Sequence, residues 1–140
     1  MNASSQAAYR LRLAEGFLGE TRQDVKLKRW RSAMDNSQLA VENAAKSLLS
    51  LLAPVGRTHQ PALLLRQSVN EGRWKSEEIA SVSRLTELAE LLGFDVHIQT
   101  DYGDEAEGLT PWELFDEADA LQALGIAEEA VRIAKDVLKS

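Results

Sequence analysis

Three side chains with complementary chemistry stand at steps of four along one stretch: the amide of Gln38, the carboxylate of Glu42 and the ammonium of Lys46. In a helix that spacing puts all three on one face, each within reach of the next. A carboxylate beside an amine can move a proton, and an amide can both donate to and accept from a ligand. Further along, Arg57-Thr58-His59 places an imidazole two residues from a guanidinium. His59 is therefore a candidate general base or phosphate contact. A plainer reading of the same residues is the favoured one. His59 can simply bond backbone at a helix entrance, and Glu42 to Lys46 has the favourable acid-before-base order of an ordinary helical ion pair, worth about 0.2–0.5 kcal/mol when exposed.

Other chemistries are excluded by residue type. There is no cysteine, so no thiolate nucleophile or disulfide, and the two histidines lie far apart in the chain. No HExxH, EF-hand loop or paired Glu-x-x-His helices appear, so no metal is expected. Without a GxGxxG or a Walker loop, no cofactor is expected either.

The elements that must position these groups read as helices. Trp30 to Leu52 is the longest stretch with one periodicity and no glycine or proline, and Met34, Val41, Ala44, Ala45, Leu48, Leu49 and Leu52 form its apolar stripe. Gln38, Glu42 and Lys46 flank that stripe, and Pro54 disfavours helical geometry before it, which predicts a stop at Ala53. A first helix is expected from Ser4 or Ser5 to Asp24, with Ala14, Phe17, Leu18, Thr21 and Val25 on one face. Gly16 and Gly19 weaken it, and a close helix crossing is one use for them. A third helix opens near Pro61, with Leu63, Leu64 and Leu65 as a buried turn. A fourth follows Ser76-Glu77-Glu78 and buries Ile79, Val82, Leu85, Leu88, Ala89 and Leu92, with Gly93 as a left-handed cap.

Phe94, Val96 and Ile98 alternate with Asp95, His97 and Gln99, which predicts an extended connection. The polar loop after it, residues 101–108, is expected to be the most mobile part of the chain. Thr110, Pro111 and Glu113 then spell a capping box, with Leu109 and Leu114 as a staple, and Asp116 offers a second start. The last helix carries a seam of Leu121, Leu124, Ala127, Val131, Ala134 and Leu138 beside small residues that admit a close neighbour.

At 140 residues the chain is expected to form one domain, residues 1–140, a soluble all-α bundle. No apolar run reaches the roughly 18 residues of a membrane span, and no signal-peptide pattern opens the chain; a cytoplasmic location is the expectation. The net charge of -6 hides an asymmetry: residues 1–75 hold 12 of the 16 Lys and Arg, residues 76–140 hold 16 of the 22 Asp and Glu. Such a split could mark a basic face for a polyanion and an acidic face for a basic partner; the favoured expectation is that helices from the two halves pack side by side and partly neutralise one another. The run RQDVKLKRWR concentrates Arg22, Lys26, Lys28, Arg29 and Arg31 around Trp30. It is a candidate phosphate grip with a stacking surface, or a core anchor with a solvated rim.

Trp30-Arg-Ser-Ala33, then Gln38-x-Ala40-x-Glu42-x-x-x-Lys46-x-Leu48-Leu49, then His59 before a leucine-rich helix, resembles the HEPN family (higher eukaryotes and prokaryotes nucleotide-binding). Tyr102 stands where many members have an Arg-Tyr-Pro loop, and Glu117-Ala118-Asp119-Ala120 with Ala127 and Val131 looks like the family's final helix. The resemblance implies an antiparallel up-and-down bundle of four to five helices, commonly a homodimer. It also implies binding of a nucleotide, RNA or a minimal nucleotidyltransferase partner, many members being encoded beside such an enzyme as a toxin-antitoxin pair. Gln38, Glu42, Lys46, Arg57, His59 and Tyr102 are the implied ligand-binding residues. Ribonuclease members carry Arg, four to six residues, then His. Here Leu52, Ala53 and Pro54 precede His59 at those distances, and Glu90, Leu91 and Leu92 precede His97. The leading expectation is therefore a non-catalytic member with no catalytic residue. The alternatives are an atypical ribonuclease using His59, with Arg57 and Lys46 as electrostatic supports, and a purely structural dimerisation module.

Overall fold

The computed structural model describes residues 2–140 and is all-α. Its helices are α1 (Ala3–Lys26), α2 (Trp30–Leu49), α3 (Pro61–Asn70), α4 (Ile79–Leu91), α5 (Phe94–Tyr102), α6 (Pro111–Leu114) and α7 (Glu117–Lys139). Five of them, α1, α2, α3, α4 and α7, have ten or more residues and pack as the antiparallel bundle expected. Among the described residues the only β pairing is an isolated bridge between Asp104 and Leu109.

α2 is the central helix. It packs against α1, α7, α3, α4 and α5, and every residue from Ala40 to Ser50 is buried. The stripe read from the sequence faces the core, with Leu52 half-buried past the helix end at Leu49. The chain from Ser50 to Ala53 continues in tightening turns, Leu51 and Leu52 bonding back to Leu48 and Leu49, so regular helix stops four residues before the expected Ala53. Buried Leu48, Leu65, Leu85 and Leu88 each contribute about 1.5–3 kcal/mol through lost water contact. Local signals behave as chemistry requires: Thr110 and Glu113 form a capping box at α6, and Asp116 and Asp119 form another at α7.

Several expectations are corrected. Residues 94–102 are helix α5, not an extended connection; the alternation of Phe94, Val96 and Ile98 coincides with a helix whose backbone is satisfied from Gly93 onward, His97 N donating to Gly93 O. Gly93 itself lies at φ -98°, outside the left-handed region, and joins α4 to α5. In α3 only Leu65 of the three leucines is buried, while Leu63 and Leu64 are exposed, because a ten-residue helix lying on the bundle presents one residue in three or four inward. Ile79, at the first turn of α4, is exposed as well. In α7 the core takes Ala120, Ala123, Ala127, Ala130 and Ala134, and Leu121 is pushed to solvent: close approach to α2 and α1 selects the alanine face. Gly16 and Gly19 are exposed, with open space where a Cβ would stand, so they serve no close crossing.

Ion pairs Arg22–Glu128, Arg31–Asp101, Arg66–Glu90 and Lys135–Glu15 tie the two parts of the chain together; in the first three a cation of the basic half meets an acid of the acidic half, which is the side-by-side neutralisation expected. No described helix is long and apolar enough to cross a membrane.

Candidate functional site

Because α2 is covered on all sides, its polar row is not a solvated flank. Gln38 is 1% exposed, and Glu42 and Lys46 are buried with it. They form a ladder: Gln38 Nε2 donates to Glu42 Oε1 at 3.4 Å, and Lys46 Nζ donates to Glu42 Oε2 at 3.3 Å. The loop between α2 and α3 brings His59 to the same carboxylate, with Nδ1 3.5 Å from Glu42 Oε1. Proline at the first position of α3 fixes where that loop ends, one residue beyond Gln60.

One amide oxygen is left over. Gln38 Oε1 is buried and accepts no hydrogen bond from the described residues. The orientation is set by its neighbour, since the opposite flip would turn the oxygen toward a carboxylate that can only accept. Leaving such an acceptor unsatisfied costs about 1–3 kcal/mol.

The ladder opens into a cleft of about 400 Å³ between α2, α3, α4 and α5. Gln38, Val41, Glu42, His59, Pro61, Leu63, Glu90, Gly93, Phe94, Asp95 and Val96 are among the residues that line it. His59 and Phe94 line one side, and His97, outside the lining, stacks with both. The imidazoles of His59 and His97 lie 5.1 Å apart and 12° from parallel, and Phe94 lies 6.1 Å from His97. Among the described residues, His97 Nδ1 is the second buried side-chain polar atom without a partner.

α5 carries that ring stack, so its anchoring matters. Thr100 is fully buried; its hydroxyl bonds His97 O at 2.7 Å and Asp35 on α2 at 3.4 Å. Arg31 reaches across from α2, its Nε donating to Thr100 O at 2.6 Å and its Nη2 to Asp101 Oδ1 at 3.2 Å. A guanidinium on the last carbonyls of a helix satisfies groups that have no intrahelical partner. Gly103 then turns the chain at φ +70°, where a Cβ would collide with the Leu109 carbonyl; only glycine fits.

The lining is acidic. Glu42, Glu90 and Asp95 face the cleft; Glu42 is paired with Lys46 at 3.3 Å and Glu90 with Arg66 at 2.7 Å, a contact that raises the Arg66 pKa. No lysine or arginine is among the lining residues, so a phosphate would meet no counter-charge here. A neutral ligand with planar rings and hydroxyl or N–H donors fits: carboxylates accept from hydroxyls, as an acidic residue does from a ribose, and aromatic faces stack on a base. Among the described residues no cluster of three or more His, Asp or Glu could hold a metal ion.

Of the residues singled out from sequence, the structure brings Gln38, Glu42 and His59 together at the cleft. Lys46 lies behind them, buried on Glu42, and Arg57 and Tyr102 are exposed and outside the lining. His97, Phe94 and Asp95 escape a sequence reading, because a period of two in 94–99 hides their helical spacing. The i, i+3 relation of Phe94 to His97, just after Gly93, is the available signal.

A family model described as "HEPN domain" matches residues 7–137. No curated protein matches the chain. Among solved structures, the crystal structure of TT1696 from Thermus thermophilus is similar, with a TM-score of 0.68 and 20% sequence identity over 97% of this chain and 98% of that one. At that identity the likeness carries the fold alone.

Proposed function

The chain belongs to the HEPN family, and from that premise we propose that it is a non-catalytic binding module whose cleft takes the base and ribose of a nucleotide, free or within RNA. The observation that carries this reading is Gln38 Oε1, a buried acceptor at the cleft with no partner among the described residues, beside a stack of two imidazoles and a phenyl ring. A base N–H supplies the missing donor, the rings supply a stacking surface, the carboxylates suit the ribose, and a lining without lysine or arginine gives the phosphate no reason to enter.

Calorimetric titration with AMP, GMP, CMP, UMP and ribose 5-phosphate tests it. The reading expects binding of at least one nucleotide, loss of about tenfold in affinity for Gln38→Leu, worth about one hydrogen bond, and no binding of the sugar phosphate that lacks a base. Equal binding of ribose 5-phosphate, or no binding of any nucleotide, contradicts it.

A second reading has one observation in its favour, the His59 to Glu42 contact, which is the arrangement of a carboxylate-oriented general base. Lys46 is engaged with Glu42 and Arg57 lies outside the lining, so neither cation assigned to support negative charge stands in the cleft. RNA left intact to the same extent by the native chain and by His59→Ala would end this reading. Leu63 and Leu91, exposed at the rim, support a further part of the proposal, that a second copy or a minimal nucleotidyltransferase seats there. Light scattering of the chain alone and mixed with such an enzyme checks it; a monomer in both would exclude it.

A further inference from the structure

With no lysine or arginine lining the cleft, the phosphates of a bound strand must find their cations elsewhere. At the other end of α5, Lys28, Arg29, Trp30, Arg31, Ser32 and Trp112 enclose a second cavity of about 360 Å³. Its two tryptophans differ. Trp30 is half-buried and packs against the core, whereas Trp112, 73% exposed, is the free indole. Trp112 belongs to α6, a segment distant in the chain, and its position is stiffened by Pro111 and the capping box on either side. The Arg31 guanidinium lies 5.9 Å from the centre of its ring and is itself tied to α5.

The cations beside this indole occupy unusual positions. Lys28 is the only non-glycine among the described residues with a positive φ, 58°. It is the left-handed residue of a Schellman turn in which Arg29 N bonds Asp24 O and Lys28 N bonds Val25 O, a place where glycine is the ordinary residue. Arg29 stands at the N-cap of α2, where Ser, Thr, Asp or Asn is favoured, and makes no capping bond. Neither Lys28 nor Arg29 makes a side-chain hydrogen bond or ion pair among the described residues. Two successive residues thus depart from the local preference, and each departure adds an unengaged cation beside an exposed aromatic ring.

We infer that this corner is a second subsite, in which Lys28 and Arg29 hold phosphates and Trp112 stacks a base of a short single-stranded RNA, a nucleotide about three positions along entering the cleft. α5 runs antiparallel to the start of α2, with Asp101 at Arg31 and Asp95 and Val96 at the cleft, so the two sites lie at opposite ends of one helix pair. From Ser32 to Gln38 the rise along α2 is about 9 Å, which three nucleotides cover at the ~3.4 Å rise of a stacked strand. The inference rests on the proposed nucleotide reading for the identity of the strand; the corner and the cleft are tested separately.

Fluorescence anisotropy with labelled oligoadenylate and oligouridylate octamers, at several salt concentrations, and calorimetry with AMP and UMP are run on the native chain, on Lys28→Gly with Arg29→Ala, and on Trp112→Ala. Arg31 is left intact because it holds α5. The corner predicts that the double variant flattens the dependence of log affinity on log salt by about 1.4, two contacts at ~0.7 each. Trp112→Ala should lose about tenfold or more in octamer affinity, the value of one stacked base, and mononucleotide binding should not change in either variant. Unchanged octamer affinity and salt slope in the variants, or no octamer binding by the native chain, overturns the subsite. Tight binding of inorganic polyphosphate that both Trp112→Ala and the native chain share equally, with the octamer insensitive to Trp112, overturns its assignment to RNA. Corner-dependent octamer binding without any mononucleotide binding would leave the corner standing and refute the cleft. The exposed sites of all three substitutions keep folding intact, and thermal unfolding of each variant verifies that.

Discussion

Two polar clusters in this molecule are built in opposite ways. Across α4 and α7, Arg84 donates to both oxygens of Glu129 at 2.8 and 3.0 Å and to Glu87 at 3.1 Å, all at the surface. Every charge there has its partner. On α2 the Gln38, Glu42 and Lys46 ladder is buried, where a missing partner costs most, yet it is the cluster left incomplete at Gln38 Oε1. A saturated network in water adds little to stability and asks for nothing more. An unsaturated one in the interior is a cost that folding alone does not require, and its place in a cleft gives that cost a use.

The largest break in this comparison comes from the buried side. Glu42→Ala leaves the Lys46 ammonium buried without a counter-charge and should destabilise by about 3–5 kcal/mol, read from the urea midpoint. Glu42→Leu with Lys46→Leu should recover most of that loss; a double variant as unstable as the single one would show that packing, not charge, holds the ladder. Gln38→Leu comes next and separates function from stability: it should change unfolding free energy by less than about 1 kcal/mol while weakening nucleotide binding. A collapse of stability in that variant would make Gln38 structural.

Lys28→Gly is expected to raise stability by about 0.5–1 kcal/mol, the relief of a left-handed backbone set against the added freedom of glycine in the unfolded chain. A drop in melting temperature would mean that the lysine side chain stabilises the turn. The smallest effect belongs to the exposed clamp. Hydrogen bonding to Arg84 holds the Glu129 carboxyl below its ordinary range, so its contribution is present above that range and fades as pH falls through the lowered value. Acid unfolding profiles of the native chain and Arg84→Ala should therefore differ at neutral pH and converge at low pH. Parallel profiles would show that the clamp adds nothing.

What the sequence makes legible follows the range of the forces involved. The α2 stripe, the Thr110 and Asp116 starts and the small residues of α7 depend on neighbours within a turn or two, and they are where the residues say. Leu121 departs from its expected place because apolarity favours leucine while the tight contact with α1 and α2 favours alanine. The burial of Gln38, Glu42 and Lys46 depends on α3 and α5 closing over α2, and the periodicity of one helix does not say how many others surround it. His97 and Trp112 come to their sites through tertiary packing of distant segments, and no spacing in the chain announces such a meeting. The cleft residues carried by α2 and the loop after it are readable in the chain; those that α5 delivers to the cleft, and the Trp112 that α6 delivers to the corner, are not.

The claim that the cleft is a nucleotide site is tested most directly by following side-chain resonances during titration with AMP and UMP. Nuclear magnetic resonance of chain carrying labelled glutamine and histidine reports the Gln38 amide and the imidazoles of His59 and His97. The account predicts saturable shifts of all three with a common dissociation constant, and none for the amides of Gln6 and Gln23 on α1. Shifts confined to residues away from the cleft, or none at millimolar nucleotide, would contradict it.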